Sequence, residues 1–185
     1  MERTRRAFTL VELLVITAVG LMLLAIVFAV LQQKREHERR RARCIGNLKH
    51  IGLAMRLYSG DNKERFPTDQ AATTIGSFAL LTNTYQTAYK VWTCRADIGV
   101  TAGSPTQPFT RANVSFAYGG FGLTETVQPD TPLACDRTTG NITSANPWSG
   151  NKWTHRSTGG FVVYADGHVA WVTNMEPPMY RGKNP

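Results

Sequence analysis

The chain has 185 residues, a length that fits one domain of ordinary size together with a membrane segment. Its formal net charge is +8, from 21 Lys and Arg residues against 13 Asp and Glu residues. The basic residues concentrate in two runs, "ERTRR" and "KREHERRRAR", without a nucleic-acid-binding motif or interleaved aromatic residues. We therefore expect no nucleic-acid partner.

The first predicted element is an apolar run over residues 10–31, in which Glu12 is the only charged residue. As a helix, this run would rise about 33 Å, close to the roughly 30 Å hydrocarbon core of a bilayer. No second run of this kind follows Gln32. The sequence therefore predicts a single-pass membrane protein with one domain outside the bilayer.

Glu12 is unusual in such a run. A carboxylate in a membrane costs about 2.5–3.5 kcal/mol on insertion scales, and an ionisable residue there is a functional candidate by default. A cation at the same depth would offset this cost, since two unit charges about 4 Å apart attract by about 4 kcal/mol at an effective dielectric constant near 20. The alternative is that Glu12 lies near the membrane surface and extends its carboxylate into water.

Helix signals continue beyond the apolar run, because no proline occurs between Gln32 and Tyr58. Apolar side chains recur there at spacings of three and four residues, which is typical of one face of an amphipathic helix. That face comprises Cys44, Leu48, Ile51, Met55 and Tyr58, widened by Leu53, Ala54 and Leu57. This second part of the helix therefore needs a partner surface.

We expect the helix to end at "SGDN", where Gly60 suits a left-handed C-terminal cap. A continuous helix over residues 8–58 would rise about 76 Å. The predicted organisation is a leader at residues 1–7, a transmembrane helix at 8–31, its amphipathic continuation at 32–60 and a small β-rich domain at 61–185.

The rest of the chain predicts short elements. "FALLTNTYQ" is compatible with a short helix or an irregular apolar run, "KVWTC" and "VSFAYGGFG" indicate strands, and residues 124–151 resemble a loop. Asp166 and Gly167 separate two β-rich runs and predict a two-residue type I′ hairpin, in which both positions need positive φ. The predicted fold class is α+β, with one long N-terminal helix packed on a small antiparallel sheet.

Three cysteines, Cys44, Cys94 and Cys135, permit one disulfide in any of three pairings if the domain lies outside the cytoplasm. The absence of a CxxC pair argues against a zinc site. His155, His168, Asp136 and Asp166 could be grouped as a hydrolytic or metal site, but no catalytic motif accompanies them. We explain Asp166 by its turn and place His168 at an exposed position after it.

The stretch "RRAFTLVELLVITAVG" resembles the prepilin-type leader of type IV pilins and type II secretion pseudopilins. The resemblance implies cleavage between Ala7 and Phe8, N-methylation of Phe8, and a role in assembly for Glu12, the fifth residue of the mature chain. The cation for Glu12 would then be the new α-amine of Phe8 on a neighbouring subunit. The sequence departs from the family pattern at Ala7, where glycine is usual, and in lacking a proline near the middle of the span.

Three further segments are similar to pseudopilin-like proteins of planctomycetes and related bacteria: "CIGNLKHIGLAMRLYSGDNKERFP", "LACDR" and "HRSTGGFVVYADGHVAWV". The last resembles an element described as H-x9-DG, although ten residues separate His155 from Asp166 here. Some pseudopilins bind calcium in the loops that correspond to those after Thr124. Oxygen ligands are present there without a spacing motif, namely Asp130, Asp136, Asn141 and Asp166.

The resemblance implies a structural subunit without enzymatic activity or a resident cofactor. Prepilin peptidase would trim the chain, and an inner-membrane assembly platform with its ATPase would extract it into a homopolymer or a filament with other pilin-like subunits. The C-terminal domain would be extracytoplasmic. The alternative is a monomeric, membrane-anchored extracytoplasmic binding module in which Glu12 has no partner.

Two features bear on this interpretation. "TRRAFTL" also resembles a twin-arginine export signal, but Glu12 and the helix continuing past Ala29 would serve no purpose in a discarded peptide. Six Lys and Arg residues lie within residues 34–43, against three before the span, and the positive-inside rule then favours a cytoplasmic C-terminal domain. Glu36 and Glu38 partly offset that charge, and prepilin leaders are recognised on the cytoplasmic side.

Overall fold

The structure is a computed structural model that describes residues 9–97, 99–138, 148 and 159–173. Its helices are α1 (Leu10–Asp61) and α2 (Thr74–Thr82), with 3₁₀ turns at Tyr89–Trp92 and Arg111–Asn113. Its strands are β1 (Phe116–Tyr118), β2 (Pro132–Asp136), β3 (Gly160–Tyr164) and β4 (Val169–Val172). A long N-terminal helix and a small antiparallel sheet confirm the predicted α+β class.

The chain divides into two compact units, Met1–Arg39 and Arg40–Pro185, and the division falls within α1. In its described part, the first unit consists of the N-terminal part of α1 and the residue before it. The second unit contains the remainder of α1, α2 and the sheet.

The four strands follow one another in the sheet in chain order, and each neighbouring pair is antiparallel. The sequence does not predict β2, one of the two inner strands, because residues 124–151 resemble a loop. Pro132 begins β2, a position where its missing N–H is tolerated. The four residues that follow are all buried. The strand therefore lacks the alternation of apolar and polar residues by which a half-exposed strand is identified in a sequence.

The second half of α1 packs within the core of the second unit. Its buried apolar side chains, all at most 1% exposed, are Cys44, Leu48, Ile51, Ala54 and Met55. They share one apolar cluster with side chains of α2 and the sheet, including Phe78 and Val163. Gly52 permits the close approach of α1 to β3, because a Cβ at this position would lie 2.7 Å from Val163 Cγ2.

The predicted apolar face of α1 is therefore confirmed in its centre and wrong at its margins. Leu53 and Leu57 are 56% and 52% exposed, so they do not widen the buried face. The helix also continues through Gly60 to Asp61. The left-handed positions follow the helix instead, at Lys63 and Glu64, whose φ angles are 56° and 60°.

The segment "KVWTC" is not a strand. Residues Tyr89–Trp92 form a 3₁₀ turn that places Trp92 in the core, with its ring centroid 4.9 Å from that of Phe78 and 5.5 Å from that of Phe109. The run "FALLTNTYQ" contributes to α2, which begins after Thr73, whose hydroxyl accepts a hydrogen bond from the Gly76 N–H at 3.0 Å.

The hairpin at Asp166 and Gly167 is present, but its turn type differs from the prediction. The Tyr164 N–H donates to the His168 carbonyl at 3.0 Å, and the Gly167 N–H donates to the Tyr164 carbonyl at 2.9 Å. Three residues therefore lie between the hydrogen-bonded pair Tyr164 and His168, and Gly167 alone among them has a positive φ, 89°. A three-residue loop spares Asp166 the left-handed conformation that a type I′ turn demands.

Candidate functional site

The apolar segment, residues 10–31 at the start of α1, has no buried residue. Its sixteen large apolar side chains are between 48% exposed (Leu31) and 78% exposed (Leu10). Apolar surface on every side of a helix is typical of a membrane span, and α1 is long and apolar enough there to be one. A helix over the predicted span is thus confirmed.

Glu12 lies in the first turn of α1, where its carboxylate binds Thr9. Its Oε2 accepts from the Thr9 N–H at 3.0 Å and from the Thr9 hydroxyl at 3.1 Å. The Glu12 N–H in turn lies 3.3 Å from the Thr9 hydroxyl oxygen. This reciprocal pattern is a capping box, which satisfies donors that a helix N-terminus otherwise leaves unpaired.

The capping box is a role for Glu12 that the sequence analysis missed. Its signal, a threonine followed three residues later by a glutamate before an apolar run, is present as Thr9-Leu10-Val11-Glu12. The carboxylate therefore has a partner within its own chain. The predicted cleavage residues Ala7 and Phe8 lie outside the described residues. The cleavage, and the pairing of Glu12 with the α-amine of Phe8 on a neighbouring subunit, therefore stay predictions.

The basic run after the apolar segment is mostly exposed, including Lys34, Arg35, Arg39, Arg40 and Arg43. Arg41 differs from them, since its guanidinium lies 4.2 Å from the centre of the Trp171 ring on β4. A cation over the face of an indole ring is attracted by the ring quadrupole. Arg41 therefore helps to hold α1 against the sheet within the second unit.

Among the three predicted pairings, the structure forms the Cys44–Cys94 disulfide, with a Cα–Cα distance of 5.4 Å. Both residues are buried, and the bridge links α1 to the segment after the Tyr89–Trp92 turn. The third cysteine, Cys135, is buried in β2 outside this disulfide. The sequence alone could not select this pair, because the two cysteines are 50 positions apart and only the fold brings them together.

Asp166 and His168 interact with each other at the β3–β4 turn. Asp166 Oδ1 lies 2.6 Å from His168 Nδ1 and accepts from the His168 N–H at 2.9 Å. The backbone hydrogen bond from His168 lowers the pKa of Asp166, with further lowering by the His168 side chain and Arg56. The His168 ring also stacks on Tyr164 at 4.3 Å. These contacts account for both residues as parts of the turn.

The acids considered as ligands form no metal-binding group with Asp166 among the described residues. Asp136 is buried in β2, where Oδ2 accepts from the Phe161 N–H at 2.8 Å. Over the part of the chain that the structure describes, no group of three or more His, Cys, Asp or Glu residues could hold a metal ion. Asn141 and His155 lie outside that part, so the calcium and histidine hypotheses involving them stay untested.

A buried ion pair that the sequence did not indicate lies near Asp136. Asp97 Oδ1 and Arg137 Nη2 are 2.7 Å apart, and the Asp97 side chain is fully buried. Burial raises the pKa of Asp97, and the Arg137 guanidinium opposes that rise. The pair joins the segment after Cys94 to the end of β2, so its role in the described structure is to hold these two segments together.

The chain matches no protein-family model, no curated protein and no solved structure.

Proposed function

We propose that this chain is a pilin-like subunit, processed by prepilin peptidase between Ala7 and Phe8 and assembled into a type II secretion pseudopilus or a related type IV filament. The observation that carries the proposal is the apolar segment, which is exposed on every side and has a carboxylate in its first turn. Such a segment needs lipid before assembly and other apolar helices after it. Pilin-like partners, the assembly platform and its ATPase belong to the same proposal.

The proposed orientation places the second unit outside the cytoplasm, anchored in the bacterial inner membrane. The Cys44–Cys94 disulfide supports this, because disulfides form and persist in oxidising compartments. Cys44 follows Leu31 by 13 positions in the sequence. The positive charge of residues 34–43 favours the opposite orientation under the positive-inside rule. In this proposal we give the disulfide more weight than that charge.

In the filament, Glu12 would exchange its intrachain partner for the α-amine of Phe8 on a neighbouring subunit. The capping box keeps the carboxylate hydrogen-bonded while the subunit is alone in the membrane. A cation at the same depth adds an attraction that Thr9 cannot supply. The chain would have no enzymatic activity of its own.

The alternative function is a monomeric, membrane-anchored extracytoplasmic binding module. The capping box favours it, since Thr9 already satisfies Glu12 without a neighbouring chain. In that case Glu12 would serve the helix start alone, and the second unit would act as a single copy.

The substitution Glu12→Gln separates the two functions. Glutamine at the third helical position preserves a capping box but removes the negative charge. We expect Glu12→Gln and Glu12→Val to insert into the membrane and to lose assembly, as measured by sedimentation of sheared filaments after co-expression with the assembly machinery. The matched control is Thr9→Val, which removes the hydroxyl of the cap and leaves the charge, and should retain most assembly.

Normal assembly of Glu12→Gln would refute the charge-pairing role and favour the monomeric anchor. Intact-mass spectrometry of protein purified from its own host's membrane tests the processing step independently. We expect a chain that begins at Phe8 and carries one additional methyl group. A chain beginning at Met1 would contradict prepilin processing, and a start after Ala29 would indicate an ordinary export signal.

A further inference from the structure

A cavity of about 780 Å³ opens in the second unit where α1 ends. Its volume lies within the roughly 300–1,000 Å³ of sites that bind small ligands. The lining combines an aromatic ring, side chains of both charges and hydrogen-bonding groups. It includes Tyr58, Asp61, Asn62, Lys63, Arg65 and Thr124.

The charges of this lining favour an anion. Lys63 and Arg65 are exposed, and within the described residues neither side chain makes a hydrogen bond or an ion pair. The one carboxylate on the lining, Asp61, accepts from the Tyr85 hydroxyl at 3.0 Å. Two cations against one carboxylate leave the lining with one net positive charge, and both cations remain available to a ligand.

Lys63 on the cavity wall has a backbone conformation that favours glycine. Lys63 and Glu64 are consecutive left-handed residues, with φ angles of 56° and 60°. This conformation costs a residue with a side chain about 1–2 kcal/mol, whereas glycine adopts it freely. The sequence thus places a cation on the cavity wall at a position where glycine would be more stable. Strained positions of this kind cluster at binding sites.

The remaining groups suit a ring that carries hydroxyls. Tyr58 contributes an aromatic ring whose centroid is 5.5 Å from that of Tyr85, in an edge-on arrangement. Asn62 also lines the cavity, and its Nδ2 donates to the Tyr58 carbonyl at 2.8 Å. Amide, hydroxyl and carboxylate groups recognise sugar hydroxyls, and aromatic rings pack against the apolar faces of sugars.

We propose that this cavity binds an acidic saccharide, with its carboxylate at Lys63 and Arg65, its ring against Tyr58 and its hydroxyls at Asn62 and Asp61. The binding site does not depend on polymerisation, and it would serve a filament subunit or a monomeric anchor equally. It adds a ligand class to the second unit that filament assembly does not require and that the alternative binding module leaves unnamed.

The test is a calorimetric titration of the full-length chain in detergent micelles with trigalacturonic acid, at physiological salt and with a chelator present. The uncharged trisaccharide of galactose is the control ligand. We expect saturable one-to-one binding of the acidic trisaccharide and at least tenfold weaker binding of the neutral one. Lys63→Gly and Arg65→Ala should each weaken binding about tenfold, the effect of losing one charge-assisted hydrogen bond.

A loss of binding in Lys63→Gly would not be explained by unfolding. Glycine relieves the left-handed backbone strain at this position and should raise the melting temperature. Lys90→Ala is the matched control for charge, because Lys90 is an exposed lysine outside the cavity lining. Glu64→Gly is the matched control for the backbone, and both controls should keep the wild-type affinity within about threefold. The proposal is overturned by equal affinity for the two trisaccharides, by no saturable binding, or by Lys63→Gly binding as tightly as Lys90→Ala.

Discussion

The two halves of α1 form one continuous helix but differ completely in their surroundings. In the apolar segment, residues 10–31, every large apolar side chain is at least 48% exposed. Between Cys44 and Ser59, seven residues of the same helix are buried in the second unit. The first half therefore presents apolar surface on all sides, whereas the second half has one buried face and one exposed face.

This difference shows that one helix can be stabilised in two ways. The second half gains from burial of apolar area inside its own chain, together with a disulfide and a cation–π contact. The first half has none of these within the described residues and depends on what surrounds it, whether lipid or other helices. Substitutions in the two halves should consequently report on different processes, namely folding of the second unit and membrane insertion or assembly.

The largest expected effect comes from reducing the Cys44–Cys94 disulfide, which links residues 50 positions apart. Closing such a loop lowers the entropy of the unfolded chain and stabilises the fold by about 4 kcal/mol. We expect a reductant to lower the denaturant midpoint of the second unit accordingly, while the helical circular dichroism of the apolar segment in micelles persists. The double variant Cys44→Ala/Cys94→Ala is the control and should not respond to reductant. An unchanged wild-type midpoint would contradict the prediction.

The next effect compares leucines of the two halves directly. Leu48 is fully buried, so Leu48→Ala should lower the free energy of unfolding of the second unit by about 3 kcal/mol. Leu24 is 67% exposed in the apolar segment, and Leu24→Ala should change this quantity by less than about 0.5 kcal/mol. Equilibrium unfolding of the full chain in micelles measures both. Equal effects of the two substitutions would show that the halves do not differ in the way described.

A smaller effect is expected at Arg41, near the start of the buried part of α1. Its guanidinium lies 4.2 Å from the centre of the Trp171 ring, and such a contact contributes about 1 kcal/mol. Arg41→Ala should therefore reduce the stability of the second unit by about that amount. Arg43→Ala removes the same charge from an exposed position and is the matched control. The contact would be unimportant if thermal melts of the two variants coincided.

The smallest effect concerns pH at the β3–β4 turn, where the Asp166 carbonyl accepts from Arg56 Nη1 at 3.1 Å. The pKa of Asp166 is lowered in the fold, first by the backbone hydrogen bond from His168. An acid with a lowered pKa stabilises the fold above its unfolded pKa, near about 4, and this contribution is lost as the pH falls through the folded pKa. The melting temperatures of wild type and Asp166→Asn should thus differ more at pH 7 than at pH 2. A constant difference would contradict the assignment.

Much of the architecture follows from local patterns. The lengths of the apolar run and of the amphipathic face predict α1 to within a few residues of its bounds, Leu10–Asp61. The β-rich runs on both sides of Asp166 and Gly167 predict the β3–β4 hairpin. These features are predictable because the spacing of neighbouring residues determines which side of an element is apolar.

The candidate site was only partly predictable. Glu12 was singled out as the only charged residue of the apolar segment, but its capping partner Thr9 was overlooked although the spacing was visible. The cavity at Lys63 and Arg65 had no such signal. Its lining comes from the end of α1 and from Thr124 and its neighbour Gly122, segments that are brought together by the antiparallel bridge between Arg65 and Thr124.

The sequence alone thus determined the long helix, its change from an apolar to an amphipathic surface, and the position of the hairpin, because each depends on residues within a few positions of one another. The tertiary structure decided the rest. It selected Cys94 as the partner of Cys44, turned Tyr89–Trp92 into a 3₁₀ turn that buries Trp92, and made residues Pro132–Asp136 a central strand. These outcomes depend on contacts between residues that are far apart in the chain, and only the packed core determines which of those contacts form.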